Sequence, residues 1–335
     1  SLPLAGGPMA FAAVDEIVSG HPAPQMRPLP LAALVEGSHQ AVSHALTAAR
    51  APFAGIALDC TRIVGVVNVT PDSFSDGGSY LTPEKAVRLG CSMVRAGADI
   101  LDVGGESTRP GATTVPPAEE IRRVVPVIEA LRPTGAVISV DTRNPETMLA
   151  AADAGASIVN DVTALSHSPD SARIVAETGL AVVLMHMRGN PQTMQVRPYY
   201  DHAPSEVYAD LAVAVERARA AGIPPHQIIV DPGLGFGKNR KHNLQLLAWL
   251  PMFHCLGHGL MVGASRKSLI GHLDGNAPVS DRIGGSLAIA LHAVCQGANL
   301  VRVHDVAETR QALRVWAALG QSMAESVVDA GRPPS

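Results

Sequence analysis

Gly97-Ala98-Asp99-Ile100-Leu101-Asp102-Val103-Gly104 is the stretch that decides the fold of this chain. Its first glycine ends a helical pattern, and a short apolar run follows at once. The same junction returns as Gly155-Ala156-Ser157 and as Gly297-Ala298-Asn299. A glycine can take the left-handed conformation that stops a helix, so each junction turns a helix directly into a strand. A helix-to-strand turn that recurs is the mark of a repeated βα unit. Working outward, eight apolar runs share this form, at residues 63–69, 99–104, 137–140, 157–159, 181–185, 228–230, 260–263 and 299–303. They are rich in Val and Ile and mostly lack polar alternation. Both faces of each strand must then be covered, as in a parallel sheet beneath helices.

Helical patterns separate the runs. Thr82-Pro83 opens the first, with Thr as N-cap and Pro at the first helical position, and Gly97 closes it. Pro117 begins the second, Asn144-Pro145 the third and Ser168-Pro169 the fourth; Gly155 and Gly179 end the last two. Four more are expected at about 205–221, 241–249, 281–296 and 306–320. Eight units in roughly 260 residues match the ~250 typical of a (β/α)8 TIM barrel, an α/β fold. An open doubly wound sheet would need a glycine-rich fingerprint after its first strand, and Val69-Thr70-Pro71-Asp72 is not one. The barrel is expected over 61–322, with a tail at 323–335. Residues 1–60 stand outside the repeat as an N-terminal extension. Pro22, Pro24, Pro28 and Pro30 precede a helix expected around 31–49. The extension either packs on the barrel or is partly disordered, or else serves as a lid or dimer contact.

Composition narrows the function. The chain of 335 residues is 47% hydrophobic and 17% charged, which places it among globular proteins. A net charge of −4 and an aromatic content of 3% offer neither a basic footprint nor a stacking surface for nucleic acid. No apolar run approaches the ~20 residues that span a bilayer. Cys60, Cys91, Cys255 and Cys295 form no CxxC and read as buried free thiols in a reducing compartment. With Asp15 and Glu16 early and no basic leader segment, the expected location is the cytoplasm.

In a barrel of this kind the chemistry sits at the C-terminal ends of the strands. There the sequence places Asn68, the segment Glu106-Ser107-Thr108-Arg109, Asp141, Asn160, His186, Asp231, Ser265-Arg266-Lys267, and Arg302 with His304. A carboxylate accepts paired N–H bonds from an amino-pyrimidine edge, and an Asn supplies both a donor and an acceptor. Asp141, Asn160 and Asp231, with Lys267 opposite, therefore suit a hydrogen-bonding heterocycle, although any one Asp could be a strand-end cap. Arg302 and His304 alternate, share a face, and stand where this fold often binds phosphate. Long polar loops follow the first two strands, at 70–78 and 104–114, and Phe74 can cover an apolar ring. Gly233-Leu234-Gly235-Phe236-Gly237-Lys238 lacks P-loop spacing and reads as a flexible loop beside the site. His254 and His258 fall on the wrong end of the barrel for a catalytic metal.

Two long segments, Asn68-Val69-Thr70-Pro71-Asp72-Ser73-Phe74-Ser75-Asp76-Gly77-Gly78 and Gly105-Glu106-Ser107-Thr108-Arg109-Pro110-Gly111, resemble the two signatures of the dihydropteroate synthase family. Asp231-Pro232-Gly233-Leu234-Gly235-Phe236-Gly237-Lys238, Ser265-Arg266-Lys267-Ser268 and Arg302-Val303-His304-Asp305 resemble its remaining motifs. The resemblance implies a homodimeric TIM-barrel transferase of folate biosynthesis that uses Mg2+. Its reaction joins 6-hydroxymethyl-7,8-dihydropterin diphosphate to 4-aminobenzoate. By the same resemblance Asp141, Asn160, Met185, Asp231, Phe236 and Lys267 hold the pterin. Asn68, Arg302 and His304 hold the diphosphate, with Asn68 at the metal. Phe74, Thr108, Arg109, Pro110, Lys267 and Ser268 line the aminobenzoate site, and Asp76 and Arg109 join Asp141, Lys267, Arg302 and His304 in catalysis. A pterin-dependent methyltransferase and a non-catalytic pterin-binding paralogue are the alternatives.

Overall fold

The structure is a computed structural model and describes residues 1–7, 9–18, 24–36, 39–70, 82–108 and 111–330. The extension opens with two small antiparallel hairpins. β1 (Leu2–Pro3) pairs with β2 (Ala10–Phe11), and β3 (Val14–Val18) with β4 (Gln25–Leu29). Pro28 is tolerated opposite Asp15 because a two-stranded ribbon has edges on which no N–H is needed. Instead of one helix over 31–49 there are two, α1 (Leu31–Val35) and α2 (Gln40–Thr47), because Glu36 takes an extended conformation and breaks the run.

Eight parallel strands then close into a barrel in chain order: β5 (Arg62–Asn68), β6 (Ile100–Gly104), β7 (Val137–Asp141), β8 (Ile158–Asp161), β9 (Ala181–Met185), β10 (Ile228–Asp231), β11 (Gly259–Val262) and β12 (Leu300–Val303), with β12 returning to β5. Helices surround them: α3 (Pro83–Ala96), α4 (Pro117–Leu131), α5 (Pro145–Ala154), α6 (Ser171–Thr178), α7 (Ala203–Ala220), α8 (Arg240–Ala248), α9 (Ser268–Leu273), α10 (Ile283–Cys295) and α11 (Val306–Ala330). The TIM barrel expected from the repeat is therefore present. Its three Gly-Ala junctions hold Gly97, Gly155 and Gly297 at φ of 104°, 106° and 85°, the left-handed conformation that only glycine adopts cheaply.

Three helices differ from the sequence reading. α6 starts at Ser171 because the backbone N–H of Asp170 donates to the Ser168 hydroxyl (3.3 Å), which holds the preceding residues in a turn. α9 is too short to show a helical period. α11 runs through Gly320 to Ala330, since a single glycine inside a helix costs only about 1 kcal/mol. The cysteines are free as expected but not buried: Cys60 is exposed and the other three are half-buried.

Two apolar layers hold the fold. Outside the barrel, Val67, Leu101, Val103, Val140 and Val159 meet Val124, Ile128, Met148 and Val175 of the helices. Inside it, Val64, Ile100, Ile158, Val183, Ile229, Met261 and Leu300 form the lower layer, and fully buried Phe53 closes the floor beneath them. A tight pairing of Phe53 with Ile56 fixes that plug. The first residues dock on the same end. Ala5 N–H donates to Leu46 O (2.6 Å), Arg50 N–H to Ala5 O (3.3 Å), and Arg50 Nη2 to Ala45 O (2.7 Å). This part of the extension lies on the floor, opposite the strand ends that carry the polar groups.

Candidate active site

The strand register sets the polar groups level. Asn68 lies opposite Gly104, Gly104 opposite Asp141, and Asp141 opposite Asn160; Asp231 lies opposite Met185. Gly104 keeps the centre of this row open. A Cβ there would stand 3.4 Å from the Cβ of Asp141 and 3.6 Å from Asn68 Oδ1. One step lower, Asp102 is the residue that sequence reasoning missed. It is 1% exposed, and its Oδ2 accepts from Arg302 Nε (2.6 Å) and Asn160 Nδ2 (3.0 Å). Arg302 also donates from Nη2 to Asp141 Oδ2 (2.7 Å). One guanidinium thus joins β12 to β6 and β7, and it links the expected anion clamp to the expected heterocycle cradle. The sequence signal was present: Asp102 is a lone carboxylate inside an otherwise apolar strand. A cavity of about 10 Å³ lies beneath, lined in part by Asp102, Ser139 and Asn160. It has room for about one water, and that water would serve the buried Oδ1 atoms of Asp102 and Asn160, which have no partner among the described residues.

On the far side of the mouth, Lys267 donates from Nζ to Leu234 O (2.5 Å) and stands 4.7 Å from the centre of the Phe236 ring. Its loop is braced by Arg266, whose Nε and Nη2 grip Asp305 at 3.0 and 2.5 Å. Arg266 itself is held at a φ of 60°, a strained value for a non-glycine residue that aims the loop. Ser265 Oγ lies 3.1 Å from His304 Nδ1 and accepts from the His304 N–H at 3.2 Å. Burial lowers Lys267 to about 8, against the pull of Asp231. Burial lifts Asp141 to about 7, against the Arg302 guanidinium, and also raises Asp231. Asp161, beside Asn160, shows what a mere strand-end cap looks like: its carboxylate is consumed by Thr163 N–H (2.7 Å), Thr163 Oγ1 (2.7 Å) and Leu165 N–H (2.9 Å).

Comparison with known proteins decides what this mouth belongs to. Residues 64–304 match the family of pterin binding enzymes. The dihydropteroate synthase of Escherichia coli K12 is 50% identical over 264 residues, 78% of this chain and 93% of the relative. The chain belongs to the dihydropteroate synthase family. Two solved structures of the Xanthomonas albilineans family member show the same barrel. One, with 4-aminobenzoic acid, has a TM-score of 0.75 at 49% identity and covers 81% of this chain and 97% of its own. The other, in complex with 7,8-dihydropteroate, has a TM-score of 0.71 at 46% identity, with 79% and 95% covered. Membership makes the chain a transferase and favours the dihydropteroate synthase reading over methyl transfer.

Of the residues that the family resemblance singled out, Asn68, Asp141, Asn160, Met185, Asp231, Phe236, Lys267, Arg302 and His304 come together around this mouth. Thr108 is half-buried on the loop after β6, and exposed Ser268 opens α9. Phe74, Asp76, Arg109 and Pro110 lie outside the described residues. The glycine-rich segment is packed, not loose. A Cβ on Gly233 would meet His186 O at 2.0 Å, and one on Gly237 would meet Arg188 O at 2.5 Å. Its glycines are there because the loop after β9 presses against it. A further network went unseen in the sequence. Glu106 grips Arg143 (3.0 and 3.2 Å) and the Val115 N–H (3.1 Å). Fully buried Glu120 collects Thr142, Asn144 and Thr147 at 2.9, 2.8 and 2.6 Å. Glu106 thus ties the loop after β6 to Arg143, and Glu120 ties α4 to the segment that opens α5. His254 and His258 are structural: His254 Nε2 lies 2.8 Å from Gln296 O and His258 Nδ1 3.0 Å from Pro225 O, at the floor.

Proposed function

We propose that this transferase joins 6-hydroxymethyl-7,8-dihydropterin diphosphate to 4-aminobenzoate, giving 7,8-dihydropteroate and diphosphate. The observation that carries the reading is the family match over residues 64–304, which takes in every strand-end group from Asn68 to His304. The ligands of the Xanthomonas structures support the aminobenzoate and product assignments. Asp141, Asn160, Asp231 and Lys267 bind the pterin edge, with Met185 and Phe236 against the ring. Arg302, His304 and Asn68 take the diphosphate, while Thr108 and Ser268, with Phe74, Arg109 and Pro110, border the aminobenzoate.

In the reaction the methylene C–O bond breaks and its electron pair leaves with the diphosphate. The cationic methylene is favoured by the carboxylates of Asp141 and Asp231, and the leaving anion by Arg302 and His304. The neutral aryl amine then forms the C–N bond and releases its proton to solvent, so no side-chain nucleophile is required. A site that keeps water from the cation would protect it, and Asp76 and Arg109, which lie outside the described residues, are assigned to catalysis there. Mg2+ fits this mouth as a guest of the diphosphate. Asn68 Oδ1 is a hard oxygen in the row with Gly104 and Asp141, and Mg2+ commonly takes few protein ligands together with substrate phosphates. When bound it would offset charge on the departing diphosphate. The decisive test is a diphosphate-release assay that omits each substrate in turn. Release should require both, stop with EDTA and return with Mg2+; release without 4-aminobenzoate, or none at all, overturns the reading.

Among the groups of the mouth with shifted ionisation, Asp141 and Lys267 bound the pH dependence. The Asp141 carboxylate is present above about 7 and is lost as pH falls through that value. The Lys267 ammonium is present below about 8 and is lost as pH rises. The kcat/KM for the pterin substrate, which reports the free enzyme, should form a narrow bell between these values. Asp141→Asn should remove the acid limb and Lys267→Arg should shift the alkaline limb upward.

A homodimer is part of the proposal. α10 and α11 present Leu287, Leu291, Val315, Trp316 and Leu319 around one groove, with Val315 and Leu319 56% and 57% exposed. An apolar patch of this kind marks an association surface. Trp316→Glu should convert a sedimenting dimer to monomer; an unchanged sedimentation coefficient would remove that face from the interface. Among the described residues no helix is long and apolar enough to cross a membrane. The four free cysteines support the reducing cytoplasm as the location.

A further inference from the structure

Lys238 has no part in the mechanism above, yet it is among the most completely engaged cations in the molecule. It is 2% exposed, and its Nζ lies 2.9 Å from His186 Nδ1, 2.9 Å from Phe236 O and 3.2 Å from His186 O. An ammonium has three N–H donors, and here it meets three acceptors. The other ring nitrogen of His186, Nε2, lies 3.0 Å from Asp210 Oδ2. A carboxylate only accepts, so Nε2 carries the proton and Nδ1 turns its lone pair to Lys238. Asp210 is fixed in turn by Arg188 Nη2 at 3.0 Å, and its bonds to His186 and Arg188 hold it below the usual carboxylate range. Burial keeps His186 neutral, at about 4. Burial pushes the Lys238 ammonium well below the ordinary lysine value, the Lys267 and Arg188 cations act the same way, and the carboxylates of Asp231 and Asp210 oppose them. A neutral amine would have two donors for three acceptors and would leave one of them unserved in a dry site.

The chain of bonds ends on the loop that faces the ligand. Three successive carbonyls there are each caught by a different side chain: Leu234 O by Lys267, Gly235 O by Gln195 (2.5 Å) and Phe236 O by Lys238. Gly233 and Gly237 flank them with left-handed backbone. Nothing in the intrinsic preference of so glycine-rich a segment selects this one shape, so the side chains must. Lys238 differs from the other two holders in being sealed away from the mouth. It reaches the mouth through the Phe236 carbonyl that it holds and through its charge beside Asp231 and Lys267.

We propose that Lys238, held by His186 and Asp210, is a positioning residue that fixes the Phe236 ring and the Leu234 carbonyl against Lys267, and so sets affinity for the pterin. The inference rests on the reading that Phe236 and Lys267 hold the pterin. Its test is titration calorimetry with 6-hydroxymethylpterin together with steady-state KM values for both substrates. Lys238→Met should raise the pterin Kd and KM at least ~10-fold, the loss of a charge-assisted hydrogen bond, and leave the 4-aminobenzoate KM within about twofold. His186→Asn places an amide oxygen where Nδ1 stood and should bind pterin several-fold better than His186→Leu, which offers no acceptor. Pterin binding by Lys238→Met within twofold of the parent overturns the inference, as do equal changes in both KM values. If Lys238→Met does not fold, equal pterin affinity of the two His186 variants overturns it instead. Lys267→Ala separates the two ideas. Lost pterin binding there with retained binding in Lys238→Met leaves the functional reading intact and sinks only this one; a parent protein that does not bind 6-hydroxymethylpterin sinks both.

Discussion

Replacing Arg302 by alanine is expected to lower kcat/KM by roughly 10³-fold or more and to destabilise the fold by about 3–5 kcal/mol. Both effects come from one geometry. The guanidinium spans Asp102 Oδ2 at 2.6 Å and Asp141 Oδ2 at 2.7 Å, and these carboxylates are 1% and 8% exposed. Without the arginine, two buried carboxylates face each other uncompensated, which is far more costly than losing an exposed ion pair. Asp141 would then take up a proton to relieve the repulsion, and the protonated form is the wrong one for an amino-pyrimidine edge. The loss in catalysis thus has two parts, a weakened cradle and a missing cation at the diphosphate. Arg302→Lys tells them apart. A lysine restores one charge but not the fork that reaches both acids, so it should recover most of the stability and little of the rate. Urea denaturation and diphosphate release are the measurements. A stability loss under about 1 kcal/mol in Arg302→Ala would mean that the acids are better solvated than this geometry allows.

Why the fold was legible and parts of the site were not follows from where each signal resides. The barrel is written locally: a left-handed glycine after each of three helices, an apolar run next, a polar residue at its end. The groups at strand ends could be read because register places equal positions on one face. Asp102 escaped because its role depends on Arg302, two hundred residues away across the closed seam of the barrel. Glu120 and Arg143 escaped for the same reason, as did the bond between Arg143 and Glu106, although Glu106 itself stood among the strand-end groups. Each is an ordinary helix or loop residue until the loops after β6 and β7 are brought together. The glycine-rich segment was misjudged as loose because a glycine has two opposite uses. It frees a chain, or it lets another backbone come close; at Gly233 and Gly237 the nearby carbonyls of His186 and Arg188 show the second. The helix that was expected to span 31–49 broke at Glu36, where helical propensity alone carried no packing information.

Lys267→Ala is expected to raise the KM for the pterin substrate by about 10²-fold, the order of a buried charge-assisted contact together with its stacking partner. The lysine has little else to do. It holds Leu234 O at 2.5 Å, lies 4.7 Å from the Phe236 ring centre, and answers the charge of Asp231. Its removal leaves Asp231 with the Gly233 N–H at 2.7 Å, so the fold should survive with a modest loss of Tm. Ser268, the next residue, provides the control. It is exposed at the first position of α9. Ser268→Ala should act mainly on the 4-aminobenzoate KM, by a few-fold, the scale of one neutral hydrogen bond. The two substitutions therefore ask whether adjacent side chains serve different substrates. Equal effects of either one on both KM values would mean that the loop moves as a unit, and the division of the mouth into two subsites would have to be redrawn at Lys267.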